Sequence, residues 1–176
     1  MIFTALPLAG AHVIDLEPRR DERGFFARGF CANEFAAHGL KTQIVQANLS
    51  QNVKRGTVRG MHYQRAPFAE VKLVRCTHGA IFDAIIDLRP DSPTYLKWTS
   101  VELSRENRRM LYVPEGFAHG YQALTDDSEV LYLVTQFYAP EHEAAIRWND
   151  PRFAIRWPIE DVVLSAKDAA HPDFRP

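Results

Sequence analysis

Ten short runs rich in Val, Ile, Phe, Tyr and Thr, broken at close spacing by Gly, Pro, Asp and Asn, constrain this chain more than any other feature. Branched and aromatic side chains suit a pleated, half-buried surface, so such runs predict strands. They fall at 12–16, 25–30, 43–51, 57–63, 70–76, 80–88, 99–103, 110–113, 120–124 and 130–137. Asp21-Glu22-Arg23-Gly24, Arg89-Pro90-Asp91-Ser92-Pro93 and Pro114-Glu115-Gly116 are among the turn signals between them. Helical signals are confined to 33–39, which has Asn33 as N-cap and Gly39 as stop, and to 165–170. Strands and helices do not alternate, which argues against a parallel sheet. The expectation is an all-β antiparallel sandwich or barrel with a few short helices. A jelly roll suits an enzyme best among these, because a pocket can open between its two sheets.

The 176 residues hold no linker-like stretch, so one domain over 1–176 is expected. Lys and Arg total 21 and Asp and Glu total 22, a balance that argues against nucleic acid as partner. Cys31 and Cys76 make no disulfide framework and no CxxC pair, so two reduced thiols are expected. The first residues lack a basic region of the signal-peptide kind. No apolar run approaches the ~20 residues that span a bilayer. A soluble, cytoplasmic protein without membrane contacts is the expectation.

Two segments concentrate chemical groups. The first is Gly56-Thr57-Val58-Arg59-Gly60-Met61-His62-Tyr63-Gln64, followed by Lys72. On an ideal strand Arg59 and His62 would face opposite ways, and His62 and Gln64 the same way. The glycines could support a bulge that alters this. The second is Val113-Pro114-Glu115-Gly116-Phe117-Ala118-His119-Gly120, a turn leading His119 into a strand. His62-x-Gln64, Glu70 and Pro114-x-Gly116-x-x-His119 resemble the two sequence boxes of the cupin superfamily, which often holds a metal through several His and one Glu. Gln64 replaces one of those His and leaves His62, His119 and Glu70. An amide is a weak ligand, so no metal is expected. Taken singly, each His also reads as a buried, hydrogen-bonded side chain.

Nine stretches in order over nearly the whole chain resemble the dTDP-4-dehydrorhamnose 3,5-epimerase family. They are Asp21-Glu22-Arg23-Gly24-Phe25-Phe26, Val45-Gln46-Ala47-Asn48-Leu49-Ser50, Val58-Arg59-Gly60-Met61-His62-Tyr63-Gln64 and Lys72-Leu73-Val74-Arg75-Cys76. They continue with residues 82–89 (FDAIIDLR), 114–120 (PEGFAHG), Leu131-Tyr132, Trp148-Asn149-Asp150-Pro151 and 164–170 (LSAKDAA). The resemblance implies a cupin-type jelly roll and a homodimer that exchanges N-terminal strands. It implies no cofactor, and a substrate that is a 4-keto-6-deoxy sugar on a nucleoside diphosphate.

The same resemblance assigns roles. His62 is the base, since imidazole ordinarily titrates near neutrality. Asp168 orients it, and Tyr132 is the acid on the other side of the sugar. Lys72 lies near the developing enolate oxygen. His119 lines the sugar pocket, Arg23 and Arg59 hold the nucleotide, and Gln46 and Asn48 lie near nucleotide and sugar. Phe26 is counted with the substrate-binding residues, and Tyr138 is placed to stack on a ring. Three places depart from the family pattern. Arg28 stands where thymidine-specific members carry an acid, and Arg cannot accept hydrogen bonds, so a guanine- or cytosine-linked sugar is an alternative. Leu133 replaces a lysine, and 65–70 differs, so epimerisation at C3 or C5 alone is another. A metal-dependent cupin enzyme and a non-catalytic sugar-binding jelly roll are the readings from other classes. The last would not need Tyr132 and Asp168 beside His62.

Overall fold

Two antiparallel sheets face each other in the computed structural model, which describes residues 1–175. In chain order the elements are β1 (Ile2–Ala5), β2 (His12–Asp15), β3 (Arg19–Asp21), β4 (Gly24–Phe26) and α1 (Ala32–Ala37). Then come β5 (Gln46–Asn52), β6 (Val58–Gln64), β7 (Lys72–His78), β8 (Ala80–Asp87), β9 (Trp98–Ser104), β10 (Met110–Val113), β11 (Phe117–Ala123) and β12 (Ser128–Val134). A 3-10 turn (Pro140–His142), β13 (Glu143–Ala145) and α2 (Ala166–Ala169) follow. One sheet runs β1-β2-β10-β7-β12-β5 and the other β13-β6-β11-β8-β9, while β3 and β4 form a separate ribbon. Two facing antiparallel sheets are what the strand-rich sequence predicts, and the cupin-type jelly roll is what the family resemblance implies.

Three apolar layers hold the sheets. Between them lie Val74, Cys76 and Val130 from one side and Ile81, Ile85, Leu103 and Phe117 from the other. Outside the six-stranded sheet, α1 adds Phe35, which packs with Leu73, Met110 and Tyr112. Outside the five-stranded sheet, the C-terminal segment lays Ile146, Phe153 and Ile155 over Met61, Ala84, Ile86 and Ala118. Side chains therefore alternate between the middle layer and an outer one, as the strand period of two requires.

Several boundaries differ from expectation. The strand expected at 25–30 ends at Phe26, because Phe30 turns away to pack on Phe35, with ring centroids 4.9 Å apart. The strand expected at 43–51 starts at Gln46, and the one at 130–137 ends at Val134. The strand expected at 120–124 begins at Phe117, because Gly116 turns the chain at φ +77° and Phe117 already pairs with Asp87. Helix α1 starts from Cys31 rather than Asn33 and has no side-chain cap. Strands β1, β3 and β13 were not expected. They are three to four residues long and mostly exposed or half-buried, so they carry no alternating pattern.

Candidate active site

Strand alternation builds one wall. Gln46, Asn48 and Ser50 of β5 lie opposite Val134, Tyr132 and Val130 of β12, which in turn lie opposite Lys72, Val74 and Cys76 of β7. These residues share a face, which passes along the strands from polar groups to the buried Val130 and Cys76. The same surface is therefore pocket at one end and core at the other. The second wall is β6 and β11, with Arg59, His62, His119 and Tyr121. The walls enclose two adjoining depressions of about 450 Å³ and about 210 Å³ that share His62, Lys72 and Tyr132.

A bulge in β6 brings Arg59 and His62 to the same side. His62 pairs with His119 and Arg59 with Tyr121, so three steps on β6 match two on β11. Gly60, at φ +142°, makes this possible: a Cβ there would stand 2.5 Å from Gly120 Cα. A Cβ on Gly120 would meet the Arg59 carbonyl oxygen at 2.8 Å. The strands approach this closely because both residues lack side chains.

Two imidazole–carboxylate pairs face this space. His62 Nε2 lies 2.6 Å from Asp168 Oδ1, although the two are far apart in sequence. Asp168 is carried by α2, whose N-cap Ser165 accepts a hydrogen bond from the Asp168 N–H at 3.0 Å. Burial pushes the Asp168 carboxyl up, but the His62 hydrogen bond and charge, with Ser165 and His171, outweigh it and hold it below the usual carboxylate range. An ionised carboxylate only accepts, so His62 Nε2 carries a proton, and whenever the ring is neutral Nδ1 holds the lone pair. The second pair is His119 Nε2 with Asp83 Oδ1, also 2.6 Å apart, and there Asp83 is fully buried.

The opposite wall carries Tyr132 and Lys72. Burial, then the charges of Tyr121 and Glu70, push the Tyr132 phenol up against the opposing pull of Arg59. The group is therefore a proton donor near neutrality. Lys72 Nζ lies 3.3 Å from Glu70 Oε1, each side chain 12% exposed. Arg59 is aimed by Asn52, whose Oδ1 accepts from Nε at 2.8 Å, and by the Gln51 carbonyl at 3.1 Å. Tyr138 donates its hydroxyl to Glu143 at 3.0 Å, and its backbone N–H donates to Gln46 at 2.9 Å. Burial raises the Glu143 carboxyl, yet Lys167 and Tyr138 outweigh it and hold it low.

The structure thus gathers His62, Asp168, Tyr132, Lys72, His119, Arg59, Gln46, Asn48 and Tyr138 around one cleft. It leaves Arg23 and Phe26 elsewhere. Both belong to the β3–β4 hairpin, where Arg23 pairs with Asp21 and Phe26 borders a separate depression with Arg28 and Glu34. The cupin-box ligand set has other duties. Gln64 is spent on the backbone of Phe68, Phe137 and Ala139, while His62, Glu70 and His119 pair with Asp168, Lys72 and Asp83. Among the described residues, the donor atoms of His62, Asp168 and His171 do come within 4.8 Å of one another. Asp83, Glu143 and His171 were not singled out from the sequence. Asp83 left a signal, as a carboxylate between Ile81 and Ile85. Glu143 left none.

A family model described as dTDP-4-dehydrorhamnose 3,5-epimerase matches residues 5–176. A protein of that description from Sinorhizobium fredii is 44% identical over 175 residues, which is 99% of this chain and 90% of the relative. The crystal structure of the dTDP-4-dehydrorhamnose 3,5-epimerase of Elizabethkingia anophelis superposes with a TM-score of 0.96 at 36% identity, covering 99% of this chain and 96% of the other. The dTDP-6-deoxy-D-glucose-3,5-epimerase of Legionella pneumophila, solved in complex with dTDP-4-keto-L-rhamnose, gives 0.92 at 38% identity over 98% of this chain and 92% of the other.

Proposed function

From the premise that this chain belongs to the dTDP-4-dehydrorhamnose 3,5-epimerase family, we propose that its cleft inverts C3 and C5 of a dTDP-linked 4-keto-6-deoxy sugar, with His62 as base. The observation that carries the assignment is a His62–Asp168 pair on one wall facing a protonated Tyr132 on the other, with Lys72 beside both. The C4 ketone acidifies the hydrogens on its neighbouring carbons. His62 Nδ1 takes one of them, and Asp168 steadies the imidazolium that forms. The electron pair moves onto the C4 oxygen as an enolate, where the Lys72 ammonium opposes the new charge. Tyr132 returns a proton to the other face of the carbon, which inverts it. His119, held by Asp83, lines the same sugar space. Arg59 is pre-aimed for a diphosphate, which a planar guanidinium can grip in two places.

Turnover in deuterated water tests this reading. Label should enter the sugar at both C3 and C5, read by proton NMR. Label at one carbon alone would make the enzyme a single-site epimerase. Absence of label with dTDP-, GDP- and CDP-linked 4-keto sugars alike would remove the epimerase assignment. Competition by free dTDP, with GDP and CDP inert, decides the nucleotide question raised by Arg28.

We also propose that the working form is a homodimer in which the N-terminal segment of one protomer reaches its partner's cleft. The support is that Arg23 and Phe26 lie outside the cleft of their own chain, with Phe26 68% exposed. Ile2 and Leu49 are likewise open on the six-stranded sheet. Sedimentation should give twice the 20.1 kDa chain mass, and a monomer at working concentration would refute the exchange.

A further inference from the structure

His171 has no part in the reaction described above, yet its ring stands edge-on to His62 with centroids 5.5 Å apart. Its Nε2 lies 3.2 Å from Asp168 Oδ1, the same oxygen that His62 Nε2 approaches at 2.6 Å. That Nε2 is sealed from solvent and has no hydrogen-bond partner among the described residues. Two imidazole nitrogens thus converge on one carboxylate oxygen, and one of them is idle. The chain arrives at this through an Asp-x-x-His turn, with Asp168 in α2 and His171 just past its C-cap Ala170. His62 joins them from β6.

We infer that His62, Asp168 and His171 form a chelating site for a zinc-class divalent cation, and that a cation bound there switches the base off. Two imidazoles and a carboxylate are a donor set of the zinc type, with a fourth position left for water. Bond lengths of about 2.0–2.2 Å place the donors of a tetrahedral site roughly 3.3 Å apart. The His171–Asp168 separation of 3.2 Å already meets this. The His62–Asp168 pair has to open from 2.6 Å as its shared proton leaves, and all three donors start within 4.8 Å. His62, 30% exposed, gives the ion a way in from the cleft.

The loss of activity follows from tautomer arithmetic. In the free enzyme the His62 proton sits on Nε2 and the lone pair on Nδ1. A neutral imidazole that gives its Nε2 lone pair to a cation must carry its proton on Nδ1. The proton moves from one ring nitrogen to the other, and the nitrogen facing the sugar changes from acceptor to donor. The ion is therefore an inhibitor. Binding of the cation stands independently of the proposed reaction, and only its inhibitory effect rests on that reading.

Cobalt(II) titrated into the purified enzyme tests the site by visible absorption. The expected result is one equivalent of cobalt with the intense bands of a four-coordinate ion, displaced by zinc. His171→Ala and His171→Gln, each checked for an unchanged melting temperature, should weaken cobalt binding at least about tenfold, since loss of even a supporting residue costs 10- to 100-fold. The zinc concentration that halves deuterium exchange should rise by a similar factor, measured against each variant's own zinc-free rate. No bands, or bands unchanged in both variants, overturns the site. Bands that need His171 while exchange continues under saturating zinc would leave the site standing and remove His62 as the base.

Discussion

Replacing His62 by Asn is expected to lower deuterium exchange by about 10²–10⁴-fold, the range that positioned general bases contribute. The shorter Asn amide falls short of Asp168, but Ser165 still caps α2 through the Asp168 N–H, so α2 should stay in place. What disappears is the basic nitrogen on the far side of the ring. Nucleotide affinity should change little, because Arg59 is aimed by Asn52 and Gln51 rather than by His62. The substitution also discriminates between two candidates. His119 faces the same cleft with its own carboxylate, Asp83, at the same 2.6 Å. Its side chain is only 9% exposed against 30% for His62, which favours His62 for direct contact with a carbon-bound hydrogen. Single-turnover exchange with dTDP affinity measured in parallel decides it. Exchange within tenfold of the parent would move the base to the second pair.

The sheets were legible because runs of branched and aromatic residues mark strands even where both faces are covered, as in β10 and β11, while β5 alternates in burial along its length. The short strands β1, β3 and β13 were not, since pairing with a neighbour, rather than their own composition, defines them. In β6 the period misleads: ideal alternation separates Arg59 from His62, and only the contact of Gly60 with Gly120 across the sheet restores them to one face. Gly56 and Gly60 hinted at a bulge, but its position depends on a partner strand that sequence alone does not align. The candidate groups became legible through the family pattern, and the structure adds what supports them. Asp83 behind His119, Glu143 tying Tyr138 to Lys167, and His171 beside Asp168 are long-range partners with no local motif. Arg23 and Phe26 mark the opposite case, being plain in the sequence yet outside the cleft of their own chain.

Lys72→Met is expected to lower kcat by about 10²–10³-fold, or ~2.7–4 kcal/mol, the usual loss when one preorganised oxyanion donor is removed. Met keeps most of the length and apolar packing of the lysine stem and removes only the charge. The side chain is 12% exposed, so little water is available to screen its ammonium from an enolate formed in the cleft. Glu70, 3.3 Å from Nζ, offsets part of that charge in the resting enzyme but also fixes where the ammonium stands. No reorganisation is then needed when the electron pair arrives on the C4 oxygen. Because the enolate charge exists only beyond the ground state, the loss should fall on kcat, with KM changed little. Glu70→Gln is the companion measurement. It removes the opposing charge while leaving an amide oxygen to hold Nζ, so kcat should change far less than in Lys72→Met. A loss in Lys72→Met confined to KM would assign the lysine to ground-state binding of the sugar nucleotide and take it out of the chemical step.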